Sequence, residues 1–109
     1  ETGVAYKVQP LHHSLNIPFS YYLTPGHAPG HVVYYHNKDE ILICGDLFIS
    51  HSESLHPPIS KFTYDMAQNI SNGKIIDTVK PKLITTSHGD DITYSEEIYS
   101  IYKFKYEER

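Results

Sequence analysis

Three short stretches of this 109-residue chain carry side chains able to hold a cation and activate water: Thr24-Pro25-Gly26-His27-Ala28-Pro29-Gly30-His31, Gly45-Asp46-Leu47-Phe48 and Ser87-His88-Gly89. Imidazole and carboxylate together suit zinc or another borderline first-row ion. Rigid Pro-Gly turns would present such ligands with little freedom left to lose on binding. Asp46 ends an apolar run, where an unpaired carboxylate is costly and a cation offsets the cost. Any one histidine of the eight in the chain is more often a hydrogen-bonded or surface residue than a ligand. An Asp after Gly is often only a turn former. The ordered combination of His31, Asp46 and His88 favours the ligand reading, and these three are the expected metal ligands.

The elements that must position them follow from pattern and punctuation. Residues 4–8 alternate loosely and make a weak strand. Phe19-Ser20-Tyr21-Tyr22-Leu23 is a better one, stopped by Pro25-Gly26. The β-branched and aromatic run 31–36, the polar turn 37–40 and the apolar run 40–44 form a hairpin feeding a buried strand. Residues 45–58 read as loop. Phe62, Met66, Ile70, Gly73 and Ile76 share one face of an amphipathic helix, expected from an N-cap at Ser60 to Val79. The helix must stop before Lys80-Pro81. A strand at 82–86 follows, then a turn at 87–90. Thr93 and Glu96 fit a capping box for a last helix with Ile98, Ile101 and Tyr102 inward. The order β-β-β-α-β-α describes an α/β or α+β domain with helices packed on a mixed sheet.

Composition narrows the function classes. Nine Lys and Arg against thirteen Asp and Glu give a net charge of −4, which argues against nucleic acid or an anionic membrane as the main partner. One cysteine, Cys44, excludes an internal disulfide framework and an all-cysteine zinc site. On an apolar strand Cys44 is expected to be packing rather than a nucleophile. No apolar run approaches the ~20 residues of a membrane span, and no secretory leader pattern occurs at the start. A soluble, cytoplasmic chain is expected, forming a single partial domain over residues 1–109.

The three stretches resemble the later metal motifs of the metallo-β-lactamase superfamily, in order and in spacing. They read Thr24-Pro25-Gly26-His27-Ala28-Pro29-Gly30-His31-Val32, Ile43-Cys44-Gly45-Asp46-Leu47-Phe48 and Lys82-Leu83-Ile84-Thr85-Thr86-Ser87-His88-Gly89. The resemblance covers about residues 20–104. It implies half of an αββα sandwich with a mono- or dinuclear centre of zinc, or of iron or manganese, at one edge. By the same resemblance His31 binds the first metal, Asp46 bridges, His88 binds the second, and His27 is a hydrogen-bonding neighbour rather than a ligand. It also implies hydrolysis of a small lactone, thioester or similar ester or amide, as in lactonases and glyoxalase-II-like enzymes.

The superfamily's first motif, His-x-His-x-Asp-His, has no counterpart string here, because His12-His13 lacks its spacing. The chain therefore resembles the C-terminal half of such a domain. It lacks the aspartate that orients the nucleophilic water, so no catalytic residue is assigned, and little activity is expected without the other half. A homodimer, or pairing with a separate N-terminal half, would cover the sheet. A non-catalytic module that uses the sheet for self-association or partner binding is the competing class, and a histidine-rich metal binder without chemistry is a third.

Overall fold

The computed structural model describes residues 19–107. Five strands form one sheet: β1 (Phe19–Leu23), β2 (Val32–His36), β3 (Ile41–Ile43), β6 (Leu83–Thr85) and β7 (Ile92–Thr93), side by side in that order. A separate hairpin, β4 (Ile49–His51) with β5 (Ser54–His56), stands between β3 and the helices. The β3–β6 pair is parallel and the other neighbours are antiparallel. A parallel pair needs a long crossover, and here the crossover carries the hairpin, a 3-10 turn (Ser60–Phe62) and helices α1 (Met66–Asn72) and α2 (Ile75–Val79). Helix α3 (Glu96–Tyr102) follows β7 and runs into a π-helical turn, Lys103–Glu107.

The mixed sheet with helices on one face agrees with the sequence expectation. Alternation along each strand explains why one face is core: Val33, Leu42, Ile84 and Ile92 are buried in successive strands. They meet Ile76 of α2 and Tyr99 and Tyr102 of α3. Each fully buried aliphatic side chain of this size contributes about 1.5–3 kcal/mol. Phe48 sets its ring edge to face on Tyr102, with centroids 5.0 Å apart. On the opposite face, Tyr34 of β2 pairs with Ile43 of β3, and Ile43 and Leu23 are exposed.

Several boundaries differ from the expectation. The helix over 60–79 is three pieces, because Asp65, not Ser60, caps α1: its carboxylate accepts the Gln68 amide N–H at 3.1 Å. Phe62 consequently lies outside the apolar stripe and is exposed. The chain breaks again at Gly73-Lys74 before α2. Lys80 then adopts a left-handed conformation ahead of Pro81, ending the helix where expected. In the last helix Ser95 is the N-cap position and Thr93 belongs to β7. Tyr102 and the half-buried Ile98 face the core as expected, Tyr99 joins them, and Ile101 is exposed. The stretch read as loop contains the β4–β5 hairpin. The weak strand expected at 4–8 lies outside the described residues. Among the described residues, no helix is long and apolar enough to cross a membrane.

Two histidines tie stability to pH. Burial pushes the His31 imidazole below its ordinary 6.5, and burial, with Lys105 and His51 nearby, does the same to His56. His56 also shares a 2.8 Å hydrogen bond with the Tyr106 hydroxyl, joining β5 to the C-terminal turn. The unfolded chain takes up these protons near pH 6.5 and the folded chain only at lower pH. Between those values the unfolded state binds more protons, so stability rises with pH. The contribution is fully present above pH 6.5 and is lost as pH falls below it. The urea midpoint is expected to be lower at pH 5.5 than at pH 7.5, with a smaller difference in His56→Gln. A midpoint unchanged or raised at pH 5.5 contradicts this.

Candidate metal centre

Strand direction alone gathers the three motifs. β1, β3 and β6 run the same way, and β2 runs opposite. The residues after β1, β3 and β6, and the residue before β2, therefore land on one sheet edge. His27, Asp46 and His88 follow the three co-directional strands, and His31 precedes β2.

The loops are held by their neighbours. Asn72 of α1 donates its side-chain amide to the Pro25 carbonyl at 2.7 Å, and Asn69 donates to the Leu47 carbonyl at 3.2 Å. One short helix thus pins the loops on both sides of His27 and Asp46. The third loop is fixed by the Ser50 N–H, which donates to the His88 carbonyl at 3.1 Å, and by the Ser87 N–H, which donates to the Gly45 carbonyl at 2.9 Å. Gly45 is left-handed, with φ of 55°. A Cβ there would stand 3.0 Å from His31 Nε2.

The two histidines of the doubled motif do different things. His31 Nε2 accepts the Asp46 backbone N–H at 3.0 Å, and its Nδ1 meets the buried Thr24 hydroxyl at 2.9 Å. Both ring nitrogens are engaged. A backbone N–H only donates, so the neutral ring carries its proton on Nδ1. Its lowered affinity for a second proton, caused by burial, keeps that Nε2 lone pair on the Asp46 amide. His31 shapes the Asp46 turn from behind.

His27 instead faces the Asp46 carboxylate, with Nε2 3.6 Å from Oδ2. His88 Nε2 lies 3.5 Å from Oδ1. The His27 tautomer follows from Thr63. The Thr63 hydroxyl donates its single proton to the Ile59 carbonyl at 2.7 Å, so in its 3.3 Å contact with His27 Nδ1 it accepts. In the neutral ring, Nε2 then presents a lone pair toward a carboxylate oxygen. Two lone-pair atoms facing each other are stabilised by a cation between them. The separations are longer than the about 2.7–3.2 Å of an N–H···O hydrogen bond. They match the about 3.4 Å between two donors each about 2.1 Å from one tetrahedral ion.

The donor set therefore fits a metal in pairs. The two imidazoles sit on different oxygens of one carboxylate, giving two imidazole–carboxylate pairs rather than one closed cluster. Among the described residues, no group of three or more His, Cys, Asp or Glu side chains could hold a metal ion. Cys44 is fully buried beside the site, its thiol pushed up by burial, and it takes no part.

The sequence pointed to His31, Asp46 and His88 as ligands and to His27 as a hydrogen-bonding neighbour, whereas here His27 and His88 face the Asp46 carboxylate and His31 holds the Asp46 backbone. Thr24, Thr63 and the Asn69–Asn72 clamp were not foreseen. Thr24 carried a faint signal, being a polar residue at the end of an apolar strand. Thr63 carried none, since its contact with His27 spans 36 positions.

The strand ends of this mixed sheet thus bring two imidazoles to one carboxylate. The chain belongs to the metallo-beta-lactamase superfamily, whose family model matches residues 11–90. It is 55% identical over 107 residues to a probable metallo-hydrolase, YybB, of Bacillus subtilis (strain 168), an alignment covering 96% of this chain and 49% of that protein. A second probable metallo-hydrolase of the same organism, YflN, is 27% identical over 101 residues, covering 79% of this chain and 38% of the relative. The chain thus spans half or less of the length of these curated relatives. In fold it is similar to a metallo-beta-lactamase family protein from Thermus thermophilus, with a TM-score of 0.63 at 17% identity, over 82% of this chain and 30% of that one.

Proposed function

We propose that this chain forms one edge of the metal centre of a metallo-hydrolase, with Asp46 shared between His27 and His88. The carrying observation is the pair of Nε2 atoms on opposite oxygens of one carboxylate. In this reading His27 replaces His31 in the ligand set, and His31 acts by holding the Asp46 backbone. Zinc suits these donors best, with iron or manganese as substitutes. Such an ion, when bound, polarises a carbonyl oxygen and supplies hydroxide near neutral pH.

The chain's own residues have defined tasks. Thr63 keeps the His27 Nε2 lone pair toward the centre. The His31 ring and the Gly45 turn set the direction of the Asp46 carboxylate. Each imidazole–carboxylate pair offers two donors, whereas a catalytic zinc takes about three from protein. We place the missing donors in the part of the relatives that this chain does not match, and propose this chain as the C-terminal half of the domain. Alone it binds metal weakly and turns over little. The substrate class is a small lactone, thioester or similar ester or amide, handled in the cytoplasm.

Joining this chain to the part of YybB it does not cover tests the reading. We expect zinc-dependent hydrolysis of a lactone and thioester panel, falling at least about a hundredfold in Asp46→Asn. A folded chimera that binds zinc and hydrolyses none of the panel would overturn it.

A second reading, a non-catalytic module that assembles through its sheet, is favoured by one observation. Ile43 and Leu23 are exposed on strands whose other face is core. It predicts a dimer by sedimentation whose association is unchanged in a His27→Ala/His88→Ala variant.

A further inference from the structure

We infer that the substrate handled at this edge carries a neutral, apolar acyl arm, seated in a cleft walled by Ile49, Pro58, Ile59 and Phe62. The inference rests on the hydrolase reading above and deepens it. The cleft, of about 360 Å³, also reaches His27, Asp46 and His88, so the candidate centre and the apolar wall are parts of one concavity. Among the described residues, its only ionisable lining groups are those three.

No described Lys or Arg lines the cleft. Lys61 is not a lining residue, and its ammonium lies 5.8 Å from the Phe62 ring centroid, where it faces a π-system rather than an anion. A phosphate or sulfate arm would find no lining Lys or Arg along the described wall to pair with. An alkyl or aryl arm would find two large side chains left in water, Ile59 at 58% and Phe62 at 66% exposure. Hydrophobic side chains exposed this far become favourable contacts when a ligand covers them.

The wall is also built in fixed relation to the centre. Phe62 closes a 3-10 turn by donating its N–H to the Ile59 carbonyl at 3.0 Å. That same carbonyl accepts the Thr63 hydroxyl, which in turn accepts from His27 Nδ1. The Tyr64 N–H donates to the His27 carbonyl at 3.1 Å. The turn that carries Ile59 and Phe62 is thus tied to the loop of His27 through Thr63 and Tyr64 rather than hung on a free surface segment. An acyl carbon placed at His27 and His88 would have its chain lying along Ile59 and Phe62.

The test uses the 109-residue chain and three metal-free probes, hexanamide, acetamide and inorganic phosphate, with side-chain NMR shifts as the readout. Hexanamide is expected to shift the Ile49 and Ile59 methyl and Phe62 ring signals, and to bind about tenfold more tightly than acetamide, in line with several partly buried methylenes. Phe62→Ala and Ile59→Ala, whose side chains are too exposed to be needed for folding, should shrink that ratio to below about threefold. Equal affinity for the two amides, hexanamide shifts confined to other parts of the surface, or tighter binding of phosphate at the same residues would each overturn the inference. Zinc titration followed at His27 and His88 separates this from the metal reading. An absent zinc response with the alkyl preference retained defeats the metal centre alone, and the reverse result defeats the acyl arm alone.

Discussion

Gly26→Ala is expected to destabilise the chain by at least about 2 kcal/mol and to weaken metal binding at the sheet edge along with it. Gly26 has φ of 152°, a region L side chains rarely enter, and backbone strain of that kind costs on the order of 1–3 kcal/mol. The added Cβ would also fall 2.5 Å from the Asn69 backbone nitrogen. That neighbour is a helix backbone and cannot turn aside. Overpacking of this sort costs about 1–3 kcal/mol more. The Gly26 carbonyl accepts the Asp65 N–H at 2.7 Å, so displacement of the turn also disturbs the start of α1. Because α1 clamps Pro25 and Leu47 through Asn72 and Asn69, the damage reaches both loops of the centre. At about 4–8 °C per kcal/mol for a domain this small, thermal unfolding should move down by more than about 8 °C. A shift under about 4 °C would mean that the Gly26–Asn69 approach is not as close as described.

Phe48→Ala is the second large effect, about 3–5 kcal/mol. Phe48 is fully buried two residues after Asp46 and bridges Tyr102 of α3 and Gly73 between α1 and α2. Removing its ring leaves a cavity at the junction of three elements, which the rigid glycine turn cannot fill. Urea unfolding is the appropriate measurement, with the midpoint read at constant slope. Phe62→Ala is the internal contrast, since Phe62 is an aromatic of the same type left mostly in water. Its loss should alter stability by under about 0.5 kcal/mol. Similar costs at the two positions would contradict the division between core and cleft wall.

The parts of this fold that were legible in the sequence are those set by local pattern. The apolar run at 40–44 and the aromatic and β-branched runs at 19–23 and 31–36 marked the first three strands, and Lys80-Pro81 marked the end of the crossover. The capping positions were misplaced for a physical reason: two polar residues competed at each helix start, and tertiary contacts chose Asp65 over Ser60 and Ser95 over Thr93. The β4–β5 hairpin was illegible because its strands are three residues long and punctuated by histidines and serines. At the candidate centre, residue types and order were readable from sequence, but orientation was not. His27 and His31 are four positions apart on one loop, and only the Asp46 amide on one ring and Thr63 on the other separate their roles.

His27 and His88, on either side of Asp46, are the side chains proposed to meet the metal. Zinc titration of the chain, followed by the ring-nitrogen NMR signals of each histidine, tests this assignment most directly. The Nε2 signals of His27 and His88 are expected to move together on zinc addition, with His31 keeping its signal and its Nδ1–H tautomer and Asp46→Asn removing the response of both. A response led by His31, or one at His27 and His88 that survives Asp46→Asn, would contradict it.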